Sequence, residues 1–164
     1  MIDTLLSWLH SHSTSVVRDG RETRFIHPTG STSILVDRGE CADETLPLES
    51  ASLQDFYSKY CAASIGNGHI IIGTPIVGGF PVSHGYRVPD LREMSETARS
   101  LGFPDNANIE VFMQQASWMF IYGMLPQDGS LVLFDRDFEK LRPLLGIESL
   151  LQQWWEIEQA DALE

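Results

Sequence analysis

Residues 109–135 read IEVFMQQASWMFIYGMLPQDGSLVLFD, the densest apolar stretch of the chain. Ile109, Val111 and Met113 alternate with Glu110 and Gln114, the two-residue period of a strand with one polar face. From Trp118 to Leu125 nearly every residue is apolar, so this part of the strand needs cover on both faces. Pro126, Gln127, Asp128 and Gly129 then supply a reversal, because proline fixes one φ and glycine accepts the positive φ of a tight turn. Leu131 to Phe134 return as the partner strand. The stretch therefore predicts a β-hairpin in the middle of a sheet. No run of acids, histidines or cysteines interrupts it, so a structural reading outweighs a catalytic one.

Downstream, Phe138 and Leu141 stand three apart in a charged segment, which predicts a helical turn ending near Pro143. Residues 147–160 predict the last helix, with Ile147, Leu150, Leu151 and Trp154 on its apolar stripe. The adjacent Trp154 and Trp155 cannot both sit at the centre of that stripe, so one is expected at its edge, as a lid or an interface anchor. Upstream, Pro89, Leu91, Met94, Ala98 and Leu101 mark a helix stopped by Gly102 and Pro104. Residues 75–86 are rich in glycine and proline and predict a surface loop with His84 exposed, a secondary candidate for partner contact.

The N-terminal half follows the same grammar. Residues 1–12 suit a short amphipathic helix with Ile2, Leu5, Leu6 and Leu9 on one stripe and Asp3 or Thr4 at its start. Residues 23–27 and 33–37 are β-prone runs around a Pro-Thr-Gly-Ser-Thr loop, which predicts a second hairpin. Ser52 stands three residues before Asp55 in a capping-box arrangement, after which Leu53, Phe56, Tyr57, Tyr60 and Cys61 repeat at helical spacing. Gly66-Asn67-Gly68 signals a turn before a strand of isoleucines at 69–73. Helices at both ends with strands between predict an α+β domain over residues 1–164, with a mostly antiparallel sheet and helices packed on it.

Composition bounds the function. A net charge of −12 makes contact with a nucleic-acid backbone or an anionic membrane unfavourable and attracts a basic partner. No secretory signal or membrane-length apolar run is present in the sequence, which predicts a cytoplasmic protein. Cys41 and Cys61 match neither a metal pattern nor a disulfide framework and are expected as free thiols, Cys61 in the core. The pair His10 and His12 would point to opposite sides of a helix and does not make a metal site. The loop around Gly30 lacks the glycine spacing and lysine of a phosphate loop, and Ser64 lacks the setting of a hydrolase nucleophile. The sequence thus nominates no catalytic, metal or cofactor-binding residue and predicts a protein that is not an enzyme. The acidic residues Glu40, Asp43, Glu44 and Glu49 lie in a segment without lysine or arginine and are the nominated partner-binding residues.

Leu46-Pro47 ahead of an aromatic helix with Phe56-Tyr57, Asn67-Gly68 leading into a strand, and a late strand pair closed by a C-terminal helix occur in that order over residues 46–157. In this order the chain resembles the SUKH superfamily, which includes bacterial immunity proteins, the Syd protein and fungal cell-wall regulators. The resemblance implies a binding protein that blocks a cognate polymorphic toxin, often a nuclease or deaminase, through surfaces that vary within the family. The competing expectation is an acidic secretion chaperone or adaptor that holds a segment of an exported protein.

Overall fold

The computed structural model describes residues 1–39, 45–82, 87–105 and 108–164. The chain opens with helix α1 (Ile2–Ser11) and continues through β1 (Ser15–Asp19), β2 (Glu22–Ile26) and β3 (Thr32–Asp37). Helix α2 (Ala51–Lys59) runs directly into β4 (Tyr60–Ile65), followed by β5 (Ile70–Ile72) and a small pair, β6 (Phe80–Pro81) with β7 (Arg87–Val88). After α3 (Leu91–Ser100) come β8 (Glu110–Gln115), β9 (Phe120–Met124), β10 (Leu131–Asp135) and β11 (Lys140–Leu144), and α4 (Ile147–Ala162) closes the chain. The architecture is α+β, with helices toward both ends. Nine strands form one sheet in the order β1-β2-β3-β4-β5-β8-β9-β10-β11, every neighbouring pair antiparallel.

Side-chain alternation explains the layers. Leu35, Ala63, Ile72, Met113 and Tyr122 point to the face covered by α1, α2 and α4, where they meet Leu5, Phe56 and Leu151. Ile34, Val36 and Ala62 point the other way, under Ile76, Val82 and Val88, while Val111, Ile121 and Phe134 lie under Met94 and Ala98 of α3. Central strands are therefore covered on both sides and read as continuous apolar runs, whereas all five residues of edge strand β1 are exposed.

Several sequence expectations are corrected. Residues 109–125 are two strands, β8 and β9, because residues 116–119 turn with Trp118 at φ 58°. An apolar residue in the left-handed region carries no turn signature of its own. The reversal at residues 126–129 is where it was expected, with Gly129 at φ 73°. Residues 135–142 form the β10–β11 hairpin, with no helical turn, and Pro143 sits in β11 at the sheet edge, where a missing N–H is tolerated. Neither Asp3 nor Thr4 caps α1, whose N-cap is Met1 with no side-chain hydrogen bond. Helix α2 is capped by Ser50 rather than Ser52, its Oγ accepting from the Leu53 N–H at 3.4 Å. Tyr60 and Cys61 continue the helical spacing but belong to β4. Residues 75–82 are no simple surface loop, since Ile76 and Val82 are buried beneath the β6–β7 pair. His84, at the tip of that expected loop, lies outside the described residues.

Both Trp154 and Trp155 are buried, because α4 is flanked by α1 as well as by the sheet. Trp8, His12 and His27 complete their aromatic cluster, with Trp8 stacked on His12 at a centroid distance of 4.1 Å. His27 is 2% exposed and fully bonded. Its Nδ1 lies 2.7 Å from the His12 carbonyl, which can only accept, so Nδ1 carries the proton. Its Nε2 then accepts from the Ser33 hydroxyl at 2.7 Å, and Ser33 Oγ accepts from the Gly66 N–H at 3.1 Å.

Burial holds the His27 pKa below its ordinary value, although the His12 carbonyl and the nearby Glu158 pull it upward. Folding therefore favours the neutral ring. Stability from this group is complete above the unfolded pKa of about 6.5 and declines as the pH falls below it toward the folded value. The urea midpoint is expected to fall between pH 7.5 and 5, and His27→Gln should flatten that slope. An equal slope in the variant would assign the effect to other groups.

Candidate interaction surface

Of the four nominated acids, Glu49 is the one among the described residues, and Glu40, Asp43 and Glu44 lie outside them. Glu49 is exposed in the extended stretch that leads into α2. Its backbone N–H donates to Glu110 Oε2 at 3.0 Å, and the Ser50 N–H donates to Glu110 Oε1. A β8 carboxylate thus pins the entry to α2, a role visible only once the strands are in register. Glu110→Ala should destabilise the fold by about 1–2 kcal/mol, the scale of charge-assisted hydrogen bonds at a partly open site. It should also speed amide exchange at Glu49 and Ser50 specifically. Unchanged exchange there would mean that the carboxylate does not hold the segment.

Charge is unevenly spread. Arg18, Arg21, Arg24 and Arg38 balance Asp3, Asp19, Glu22 and Asp37, so the net −12 arises entirely beyond residue 39. The stretch after Arg142 holds Glu148, Glu156, Glu158, Asp161 and Glu164 without a basic residue. On α4, Glu148, Gln152 and Glu156 recur every four residues and stand along one side. Glu148, Glu156, Asp161 and Glu164 are exposed, and none takes part in an ion pair among the described residues. Asp19, Asp37, Asp55, Glu93, Asp105 and Asp135, by contrast, each meet an arginine or lysine.

Helix α1 packs beside α4 and brings Asp3 to the same shallow hollow as Glu148, together with Ser7 and Ser11. A larger hollow of about 770 Å³ opens on the other side of Glu148, between the starts of α1 and α4 and the β9–β10 turn. Fully exposed Leu145 stands at its rim. Among the described residues the lining contains one carboxylate, Glu148, and no histidine, cysteine or lysine, so they assemble no nucleophile with a base and no pair of facing acids. An apolar side chain beside solvated acids suits the capture of a surface that carries both apolar and basic groups. The sequence signal for this face was the long absence of lysine and arginine after Arg142; the acidic run at 40–49 drew the nomination instead.

The remaining chemical groups are accounted for locally. His10 packs edge-on against Phe25 and His12 stacks on Trp8, so the two rings are separated, and no metal-binding cluster occurs among the described residues. Ser64 is buried within β4. The Cys61 thiol is fully buried, which pushes its pKa up, with Arg21 and Arg38 pulling the other way. Cys41 lies outside the described residues. Among those residues no helix is long and apolar enough to cross a membrane. No family model matches the chain, and neither a curated protein nor a solved structure matches it.

Proposed function

We propose that this chain is a binding protein that neutralises a basic protein toxin, of nuclease or deaminase type, by docking the acidic face of α1 and α4 onto it. The carrying observation is that Glu148, Glu156 and Asp161, the exposed acids of α4, have no counter-ion among the described residues and no basic residue follows Arg142, while Asp19, Asp37, Asp55, Glu93, Asp105 and Asp135 are each paired. Unpaired carboxylates along one helix raise the local field, which speeds encounter with a positively charged partner and orients it. Leu145 supplies an exposed apolar contact at the margin of that field. On this reading the protein acts by occupying the toxin's surface, inside the cell that makes both, and performs no chemistry itself. The order of motifs by which the sequence resembles the SUKH superfamily supports the same role.

The direct test uses the neighbouring gene. If it encodes a large exported protein with a variable C-terminal domain, co-expression of this chain should rescue cells poisoned by that domain. Continued killing at equal expression would overturn the proposal.

A second reading, an adaptor for an exported protein, draws on β1. That strand is an exposed sheet edge bearing Val16 and Val17, and an extended client segment could add to it as a further strand. The two readings separate by ligand: a folded domain bound through α4, or an extended peptide bound through β1. Proline at Val16, which the register places with its N–H directed away from β2, would block strand addition and leave a complex at α4 intact.

A further inference from the structure

Arginines in this chain divide by their surroundings. Arg18, Arg24, Arg87, Arg99 and Arg142 each reach a carboxylate, Arg21 lies over the Phe80 ring, and Arg92 and Arg136 are exposed to water. Arg38 is different. It follows β3, with its backbone N–H donating to the Lys59 carbonyl at 2.9 Å and its own carbonyl accepting from Arg21 Nη2 at 3.1 Å. Its side chain is half-buried, Nη1 is cut off from solvent, and the guanidinium has no acceptor among the described residues. A sheltered cation without a partner among the described residues is destabilising, by more than an exposed ion pair returns. Among the described residues, its retention has no reason within the fold.

The surroundings supply one. Arg38 lines a hollow of about 310 Å³ between α2 and residues 45–48. Leu46, Leu48, Tyr57 and Pro75 form its apolar walls, and no aspartate or glutamate among the described residues lines it. The walls are held independently of any ligand: the Leu46 N–H donates to the Pro75 carbonyl at 2.7 Å, Gln54 Nε2 donates to the Leu48 carbonyl at 2.7 Å, and the Tyr57 hydroxyl donates to the Gly73 carbonyl at 2.7 Å. On a chain of net charge −12, this is a preformed hollow of mixed polar and apolar lining in which the described residues carry one formal charge, the positive charge of Arg38. A guanidinium fork matches the two oxygens of a carboxylate, and the volume is at the small end of ligand pockets.

We propose that the hollow between α2 and residues 45–48 is a carboxylate-binding site in which Arg38 supplies the charge and Leu46, Leu48 and Tyr57 hold a short apolar tail. The ligand is a small aliphatic acid or the free C-terminus of a peptide; both present the same group. The site lies apart from the α4 acids and does not depend on the toxin-binding role.

The test titrates the full chain with butyrate and with butyramide, its neutral counterpart, following the Arg38 Nε–H signal by NMR. Butyrate should shift that signal saturably in the millimolar range, and butyramide should not. Arg38→Gln should weaken butyrate binding, read from the Tyr57 ring signals, by about 10-fold or more, the scale of a hydrogen-bonded charge. An acetylated dipeptide ending in leucine, as acid and as amide, separates the two sources. Tighter binding of the peptide acid than of butyrate assigns the site to a chain terminus, and equal or weaker binding assigns it to a free acid. Equal responses to butyrate and butyramide, or none, would overturn the proposal. Arg38→Met gives a structural check: the midpoint of thermal unfolding should hold or rise, since a charge unpaired among the described residues is removed. A clear fall would make Arg38 a structural residue and overturn the proposal as well.

Discussion

Gly66→Ala is expected to destabilise the fold by about 3 kcal/mol or more, the sum of backbone strain and overpacking. Gly66 has φ +60°, and a Cβ placed there would lie 2.2 Å from Trp154 Cζ2 and 2.6 Å from Cε2. The Trp154 ring cannot swing aside easily, because it is wedged against Trp8, Trp155 and His27. Gly66 also donates to Ser33 Oγ, so a shift of the turn would disturb the hydrogen bonds that fix His27. Gly20 provides the control, with φ +59° and nothing within 4 Å of the point where a Cβ would stand. Gly20→Ala should show strain alone, about 1–2 kcal/mol. In thermal unfolding, Gly66→Ala should then lower the midpoint by about 6–12 °C. Equal losses at the two glycines would mean that the ring yields and that packing against Trp154 contributes nothing.

The same neighbourhood shows what local sequence can and cannot reveal. Gly66-Asn67-Gly68 was legible as a turn because all three residues accept positive φ, and they stand at 60°, 55° and 86°. What the turn packs against was not legible, since Trp154 lies 88 positions away. The helices were readable from their periodicity, and the turn at residues 126–129 from its proline and glycine. The turn at 116–119 was hidden because it places Trp118 in the left-handed region inside an apolar run. Strand β4 was hidden because Tyr60 and Cys61 happen to continue the α2 period. Strand β1 is short and exposed at all five positions, so it has no buried face to produce an alternating pattern. Strand β11 carries Pro143, which argues against a central strand and is permitted only because the strand is at an edge.

The proposed interaction surface was legible in sign and not in place. Net charge announced an acidic surface, and a one-signed run drew attention to Glu40, Asp43, Glu44 and Glu49. Which acids keep their charge free for a partner depends on which arginines reach them. Asp19 and Asp37 look as available in sequence as Glu156 and Asp161, yet Arg24 and Arg18 meet the first two. The same accounting in reverse singles out Arg38, whose lack of a counter-ion among the described residues has no sequence signature at all.

Reversing two acids on α4, Glu156→Lys with Asp161→Lys, is expected to slow association with the toxic domain by about 10-fold or more at low ionic strength. Each reversal changes the charge by two, taking the chain from −12 to −8. Stability should move the other way. Asp161 lies in the last turn of α4, which holds no basic residue, and a cation there favours the helix dipole by about 0.3–1 kcal/mol. Weaker binding therefore cannot be ascribed to unfolding. The difference in rate should shrink as salt rises, because screening shortens from about 30 Å at 0.01 M to about 8 Å at 0.15 M. Glu96→Lys with Asp137→Lys is the matched control: both residues are exposed, on α3 and the β10–β11 turn, and the net charge again becomes −8. If association were driven by total charge, the two double variants would slow equally. A larger loss from the α4 pair locates the docking face, and an equal loss from both would remove α4 from the proposed interface.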